Sequence, residues 1–179
     1  MLPTVNAMAV EGRPYQGFLY AGLMIDDDGD PQVLEFNCRC GDPETQPIML
    51  RLRSDLVTLC MATMEGTLDQ VTIEWDPQTA LGVVLTAGGY PGSYARGHVI
   101  TGLTQESTPD TKIFHAGTTL TEDGKIITNG GRVLCVTALG TTVTAAQQHA
   151  YALVDTIKWP DCYYRRDIGY RATQHELEG

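Results

Sequence analysis

Hydrophobic and polar positions fall into distinct textures along the chain. The apolar run Gly17 to Ile25 (GFLYAGLMI) ends in the acidic turn DDDGD, and a second run, VLEFNCR, spans Val33 to Arg39. Two strands joined by a turn follow from that pattern. On an extended second strand Glu35, Asn37 and Arg39 point to one face, and Leu34, Phe36 and Cys38 to the other. From Ser54 the period lengthens. Leu56, Leu59, Cys60 and Met64 form a stripe at helical spacing, with Ser54 as N-cap and Gly66 as stop. After a polar stretch from Thr67 to Thr79 come short apolar segments broken by glycines: ALGVVLTAGGYPG, GHVITGL, KIFHAGTTL and IITNGGRVLCVTALG. These predict a small β-rich unit. A last helix is predicted from Thr142 to Trp159, capped by Thr142, with Ala146, Ala150, Leu153, Val154 and Ile157 on its apolar face and Pro160 ending it. The change of texture places a boundary near residues 70 to 78.

Composition narrows the class. With 42% hydrophobic and 19% charged residues over 179 positions, the chain has the material for a folded core. Its net charge of −10 repels polyanions, which argues against nucleic acid as a partner. No apolar stretch approaches the roughly 20 residues needed to span a bilayer, and the N-terminus has no leader pattern. Cytoplasm is the expected compartment, with no membrane partner. The five cysteines lack paired zinc spacing and are expected as buried reduced thiols.

The chemistry concentrates after residue 34. A carboxylate and a carboxamide at Glu35 and Asn37 are hard oxygen donors suited to Mg²⁺, and Arg39 offers a planar fork of donors to a phosphoryl oxygen. A strand with one wet face carries the same polar spacing, so spacing alone leaves both readings open. The segment GDPETQ then adds Asp42, Glu44 and Gln46, although Asp42-Pro43 also suits a cap and first turn. The DDDGD turn is no EF-hand, because no glycine follows Asp30 and Asn37 stands where the bidentate glutamate belongs. The glycine pairs at Gly88-Gly89 and Gly130-Gly131 match no phosphate-binding fingerprint and read as turns. His115 reads as a core histidine.

The segment LEFNCRCGDPETQPIMLRLRSDLVTLC resembles the signature region of the glycinamide ribonucleotide synthetase family of ATP-grasp ligases. GFLYAGLMI before it, and ALGVVLTAGGYPG, FHAGT, TNGGRVLCVTALG and YRRDIGYRA after it, resemble the same family in the same order. Cys40 departs from the family pattern, where phenylalanine is expected. The resemblance implies an α+β fold: the second half of an ATP-grasp domain (residues 1–74, antiparallel strands plus a helix), then a small β-rich C-terminal domain with a C-terminal helix (residues 75–179).

By the same resemblance Glu35 and Asn37 match metal ligands for Mg²⁺ or Mn²⁺, and Arg39 matches a residue that steadies the transferring phosphoryl group of ATP. Asp42, with Arg39, takes a catalytic role. Asp42 and Glu44 lie near the glycine and amine sites, and Arg132 holds the ribose phosphate. The implied reaction activates glycine as an acyl phosphate that phosphoribosylamine attacks, releasing ADP and phosphate, a step of purine synthesis. Only three lysines occur, Lys112, Lys125 and Lys158, and the family's lysine-bearing lobe does not precede Met1. The isolated chain is therefore expected to bind Mg–ATP weakly, to ligate nothing, and to self-associate through exposed strand edges. Other ATP-grasp ligases or carboxylases share the Glu-x-Asn-x-Arg strand. A non-catalytic module that complements a separate N-terminal chain is the remaining alternative.

Overall fold

The computed structural model describes residues 1–103 and 108–178. They divide into two compact units: residues 1–42 with 52–75, and residues 43–51 with 76 onward.

The first unit holds a hairpin and two helices. Strands β1 (Tyr20–Ile25) and β2 (Pro31–Asn37) pair antiparallel around the acidic turn. Asp26 closes that turn by accepting from the amides of Asp28 and Asp30 through Oδ1, at 3.2 and 2.8 Å. The register slips between Gly22 and Leu23, leaving Leu34 as the extra residue of a bulge. Helix α1 (Leu2–Val10) has no side-chain cap and buries nothing. Helix α3, further along the chain at Leu56–Glu65, starts at Asp55, whose carboxylate accepts from the Thr58 amide at 2.7 Å, and stops at Gly66 in the left-handed region.

Several sequence expectations need correction here. The cap of α3 is Asp55 and not Ser54, because the Ser54 hydroxyl is taken by the Glu74 amide. The buried stripe is Leu59 and Ala62, whereas Met64 is 76% exposed. The apolar face of β2 is uncovered, with Leu34 at 65% exposure and Phe36 at 40%. Strand β2 also ends at Asn37, so Arg39 leaves the strand's alternation and sits in a bend.

The second unit is built on a three-stranded antiparallel sheet of β3 (Thr79–Thr86), β7 (Arg132–Gly140) and β4 (Thr111–His115), with β7 in the middle. A short hairpin, β5 (Thr118–Leu120) with β6 (Ile126–Thr128), adjoins it in sequence. The middle strand reads VLCVTALG because both its faces are covered. Leu81, Val83 and Leu85 of β3 and Leu134, Val136 and Ala138 of β7 face helix α4 (Val143–Val154), which buries Ala146, Ala150, Leu153 and Val154 against them. Helix α2 (Thr45–Arg51) covers the other face, where an atom added at Gly82 would meet Pro47 and the Cys135 sulfur, each at 3.2 Å. The segment GHVITGL is no full strand. It contributes single bridges from Val99 to Ile127 and from Thr101 to Lys158.

Thr142 caps α4 as the sequence predicts, accepting from the Ala145 amide. The helix ends at Val154, five residues short of the expected Trp159. The Thr156 hydroxyl donates to the Leu153 carbonyl there, and the backbone turns out so that Lys158 pairs with Thr101. Of the cysteines only Cys135 is buried, and all five are free thiols. His115 is exposed at the end of β4, with Nδ1 at 3.1 Å from the Thr118 hydroxyl, and is not a core residue.

Helix α5 (Tyr170–Glu178) also buries nothing. Its anchor is Glu176, whose carboxylate accepts from the Val143 amide and, at 3.0 and 2.8 Å, from the Thr144 amide and hydroxyl at the start of α4. Those backbone bonds hold the Glu176 carboxyl below the ordinary glutamate range. A depressed carboxylate pKa stabilises the docked helix above the unfolded value and loses that contribution as pH falls through the folded one. Helix α5 is therefore expected to stay docked at neutral pH and to loosen below the ordinary 4.5 of glutamate, read as faster exchange of the Thr144 amide with solvent. Glu176→Gln should show the loosened state already at pH 7.

Candidate functional site

Glu35 and Asn37 lie on one side of β2, and the Asn37 amide donates to the Glu35 carboxylate, Nδ2 to Oε1, at 2.9 Å. That bond fixes the amide so that Asn37 Oδ1 and Glu35 Oε2 remain as a pair of oxygen acceptors. Glu35 is exposed and Asn37 half-buried, so the pair is open to a ligand. Gly22 faces Glu35 across the hairpin. A Cβ there would approach the Glu35 Cγ to 3.2 Å, so the glycine leaves the carboxylate room.

The oxygen pair fits a hard divalent ion that keeps several waters, and does not amount to a full protein cage. Among the described residues no group of three or more His, Cys, Asp and Glu side chains could hold a metal alone. Arg39 lies two residues past Asn37 in the bend, where its Nη1 donates to the Cys40 carbonyl at 3.2 Å. Asp42 and Glu44 sit in the turn that leads into α2, both exposed. The Glu44 carbonyl accepts from the Ile48 amide in the first turn of that helix. The chain passes between units after Asp42, so the first unit carries Glu35, Asn37, Arg39 and Asp42 while the second carries Glu44 and Arg132.

Arg132 opens β7, exposed, paired with Thr86 of β3. The glycines before it are packing features. A Cβ on Gly131 would strike the Tyr90 ring at 2.2 Å, and Gly117 and Gly130 approach too closely for side chains on either.

On its other side Thr86 exchanges two backbone hydrogen bonds with Tyr163, at 2.8 and 3.0 Å. Arg132 and Tyr163 therefore flank one strand, about 10 Å apart at ordinary strand spacing. The segment that contains Tyr163, Cys162 to Asp167, lines an open concavity of about 510 Å³. Burial pushes the Cys162 thiol up to about 11, which makes it an inert wall. Arg165 is committed to Asp167 through two bonds of 2.9 and 2.8 Å. Arg166 is more open, its side chain 75% exposed. Its guanidinium lies 5.0 Å over the Tyr164 ring, donates to the Tyr164 hydroxyl at 3.0 Å, and stands 3.8 Å from Asp155. Sequence reasoning used YRRDIGYRA only as a likeness and passed over Arg166. The signal was two arginines behind an aromatic pair, Tyr163-Tyr164.

Two family descriptions match this chain. Residues 1–45 match the phosphoribosylglycinamide synthetase ATP-grasp (A) domain, and residues 80–171 match the phosphoribosylglycinamide synthetase C domain, which is more than half of the chain. The chain belongs to the phosphoribosylglycinamide synthetase family. Relatives named phosphoribosylamine–glycine ligase include one from Escherichia coli (strain K12), 62% identical over 97% of this chain and 41% of its own length. Another, from Vibrio cholerae, is 62% identical over 97% of this chain and 40% of its own. The crystal structure of phosphoribosylamine–glycine ligase from Thermotoga maritima superposes with a TM-score of 0.78 at 40% identity, covering 90% of this chain and 39% of that one. The chain thus spans about two fifths of the length of these family members. The α+β fold with antiparallel sheets agrees with the one the resemblance implied. Among the described residues no helix is long and apolar enough to cross a membrane.

Proposed function

We propose that this chain is the portion of an ATP-dependent ligase that holds the metal and the sugar phosphate while glycine is joined to 5-phosphoribosylamine. The observation that carries this reading is the Glu35–Asn37 pair, oxygen donors tied together at 2.9 Å on an open hairpin, within the segment that matches an ATP-grasp domain. A bound Mg²⁺ or Mn²⁺ would neutralise charge on the ATP phosphates, taking its other ligands from them and from water.

Glu35 supplies the anionic ligand, and Asn37 both ligates and orients it. Arg39 offers N–H donors to the phosphoryl group in transfer. Asp42 and Glu44 are acidic partners for the amino groups of glycine and phosphoribosylamine, Asp42 being the one assigned to the reacting groups. In the second unit Arg132 and Arg166 take the ribose phosphate. Glycine's carboxylate is activated as an acyl phosphate, the amine attacks it, and glycinamide ribonucleotide, ADP and phosphate leave, a step of purine synthesis. Such chemistry rests on positioning and charge neutralisation and needs no side-chain nucleophile. Cytoplasm is the compartment we propose.

The first unit exposes Leu2, Val10, Leu23, Met24, Ile25, Val33, Leu34 and Val57, far more apolar side chain than a free surface of this size keeps by chance. This favours a module completed by the remaining length that its relatives carry. Light scattering should find the chain alone self-associated, with no phosphate released from ATP. Adding the preceding portion of the Escherichia coli relative should give a one-to-one complex that releases phosphate only with glycine and phosphoribosylamine. Release by the chain alone that depends on both substrates would overturn the need for a complement. A strictly monomeric chain that never gains activity would overturn the module itself.

A further inference from the structure

The turn that carries Arg166 is held from α4 through one oxygen atom. The Tyr151 hydroxyl donates to the Arg165 carbonyl at 2.6 Å and accepts from the Ile168 amide at 3.1 Å. It closes a ring around the two residues between them. The Gln147 amide, one turn earlier on α4, donates to the Ile168 carbonyl at 2.7 Å. The Tyr151 ring lies 6.4 Å from that of Tyr164, the platform under the Arg166 guanidinium, and the Tyr164 hydroxyl donates to Asp155 at 2.8 Å. Asp155 follows directly on the end of α4, so both arms of this network return to the helix that packs on the central sheet.

A guanidinium recognises a phosphomonoester best when its plane is fixed beforehand, because binding then loses less rotational freedom. Arg166 keeps its side chain 75% exposed, and its stem alone cannot fix it. Tyr164 fixes the plane and Tyr151 fixes the backbone. Burial raises the Tyr151 pKa, which keeps the hydroxyl a donor throughout the neutral range.

We propose that Tyr151 is a positioning residue that sets the Arg165–Ile168 turn so that Arg166 presents its guanidinium to a sugar phosphate. This rests on the reading of the Arg166 concavity as the phosphate site. The two are separable by one titration.

The isotopically labelled 179-residue chain is titrated with ribose 5-phosphate, following the Arg166 Nε–H signal and the backbone amides of residues 163–168. Arg166→Gln should abolish the response. Tyr151→Phe keeps the ring and loses both hydrogen bonds. It should weaken binding roughly tenfold and broaden the free Arg166 signal, with the melting temperature and the β7 amides unchanged. Should Tyr151→Phe lower the melt, Gln147→Met frees the same turn from its other tether and should weaken binding severalfold. Wild-type affinity and a sharp Arg166 signal in both variants, with Arg166→Gln inert, overturn the positioning role and leave the phosphate site standing. Wild-type binding by Arg166→Gln overturns the site and the proposal with it.

Discussion

Replacing Glu35 with alanine is expected to abolish metal-dependent binding of ATP. Removing a group that only orients a metal ligand typically costs 10- to 100-fold in affinity, so loss of an anionic ligand should cost on the order of a hundredfold or more. Asn37→Ala tests the lesser case. It deletes one oxygen donor and the 2.9 Å bond that aims the carboxylate, and about a tenfold to hundredfold loss is expected. Calorimetry with ATP and Mn²⁺ on the complemented complex reads both. The fold should not suffer, because Glu35 is exposed and the hairpin pairs through its backbone. An unchanged heat with Glu35→Ala would mean that the polar face of β2 is only wet.

Leu85→Ala should be the most damaging conservative change in the second unit. Leu85 is fully buried, paired across the sheet with Leu134 and packed in the cluster under α4. Truncating such a leucine costs about 3 kcal/mol, from lost transfer energy and the cavity left behind. A domain slightly above 100 residues melts about 4 °C lower per kcal/mol, so a drop of roughly 12 °C is expected. Emission of Trp159, itself in that cluster, reports the transition cleanly in a Trp75→Phe background. Leu34→Ala, at 65% exposure, should leave the same transition in place. A Leu85→Ala loss under about 1 kcal/mol would mean that the core collapses around the gap.

The parts of this architecture that were legible in the sequence are those where a period meets burial. Strand β7 reads plainly because apolar residues fill both its faces, and α4 reads plainly because Thr142 and an apolar stripe agree. The Glu35–Asn37 pairing was legible for a similar reason, since two residues apart on a strand means one side. Arg39 was not, because the strand stops two residues before it and no local residue announces the bend. Helices α1 and α5 escaped because neither buries a face, and α5 carries only Tyr170 and Leu177 as large apolar residues on a polar helix. Ser54 and Asp55 were adjacent caps, and a distant residue, Glu74, decided between them by occupying the serine. Arg166 was hidden for the same physical reason: its setting is made by Tyr151, acting through the Arg165 carbonyl, and by Asp155 at 3.8 Å, and both are in place only once α4 has formed.

The excursion of residues 43–51 into the second unit governs how this chain can be taken apart. A gene divided at residue 75 would yield the three-stranded sheet without the short helix over Gly82 and Cys135, and that bared face would invite aggregation. An autonomous version can be made by excision instead. The Arg51 carbonyl already accepts from the Asp76 amide at 2.7 Å, so residues 52–75 can be deleted and the ends rejoined through a tight loop.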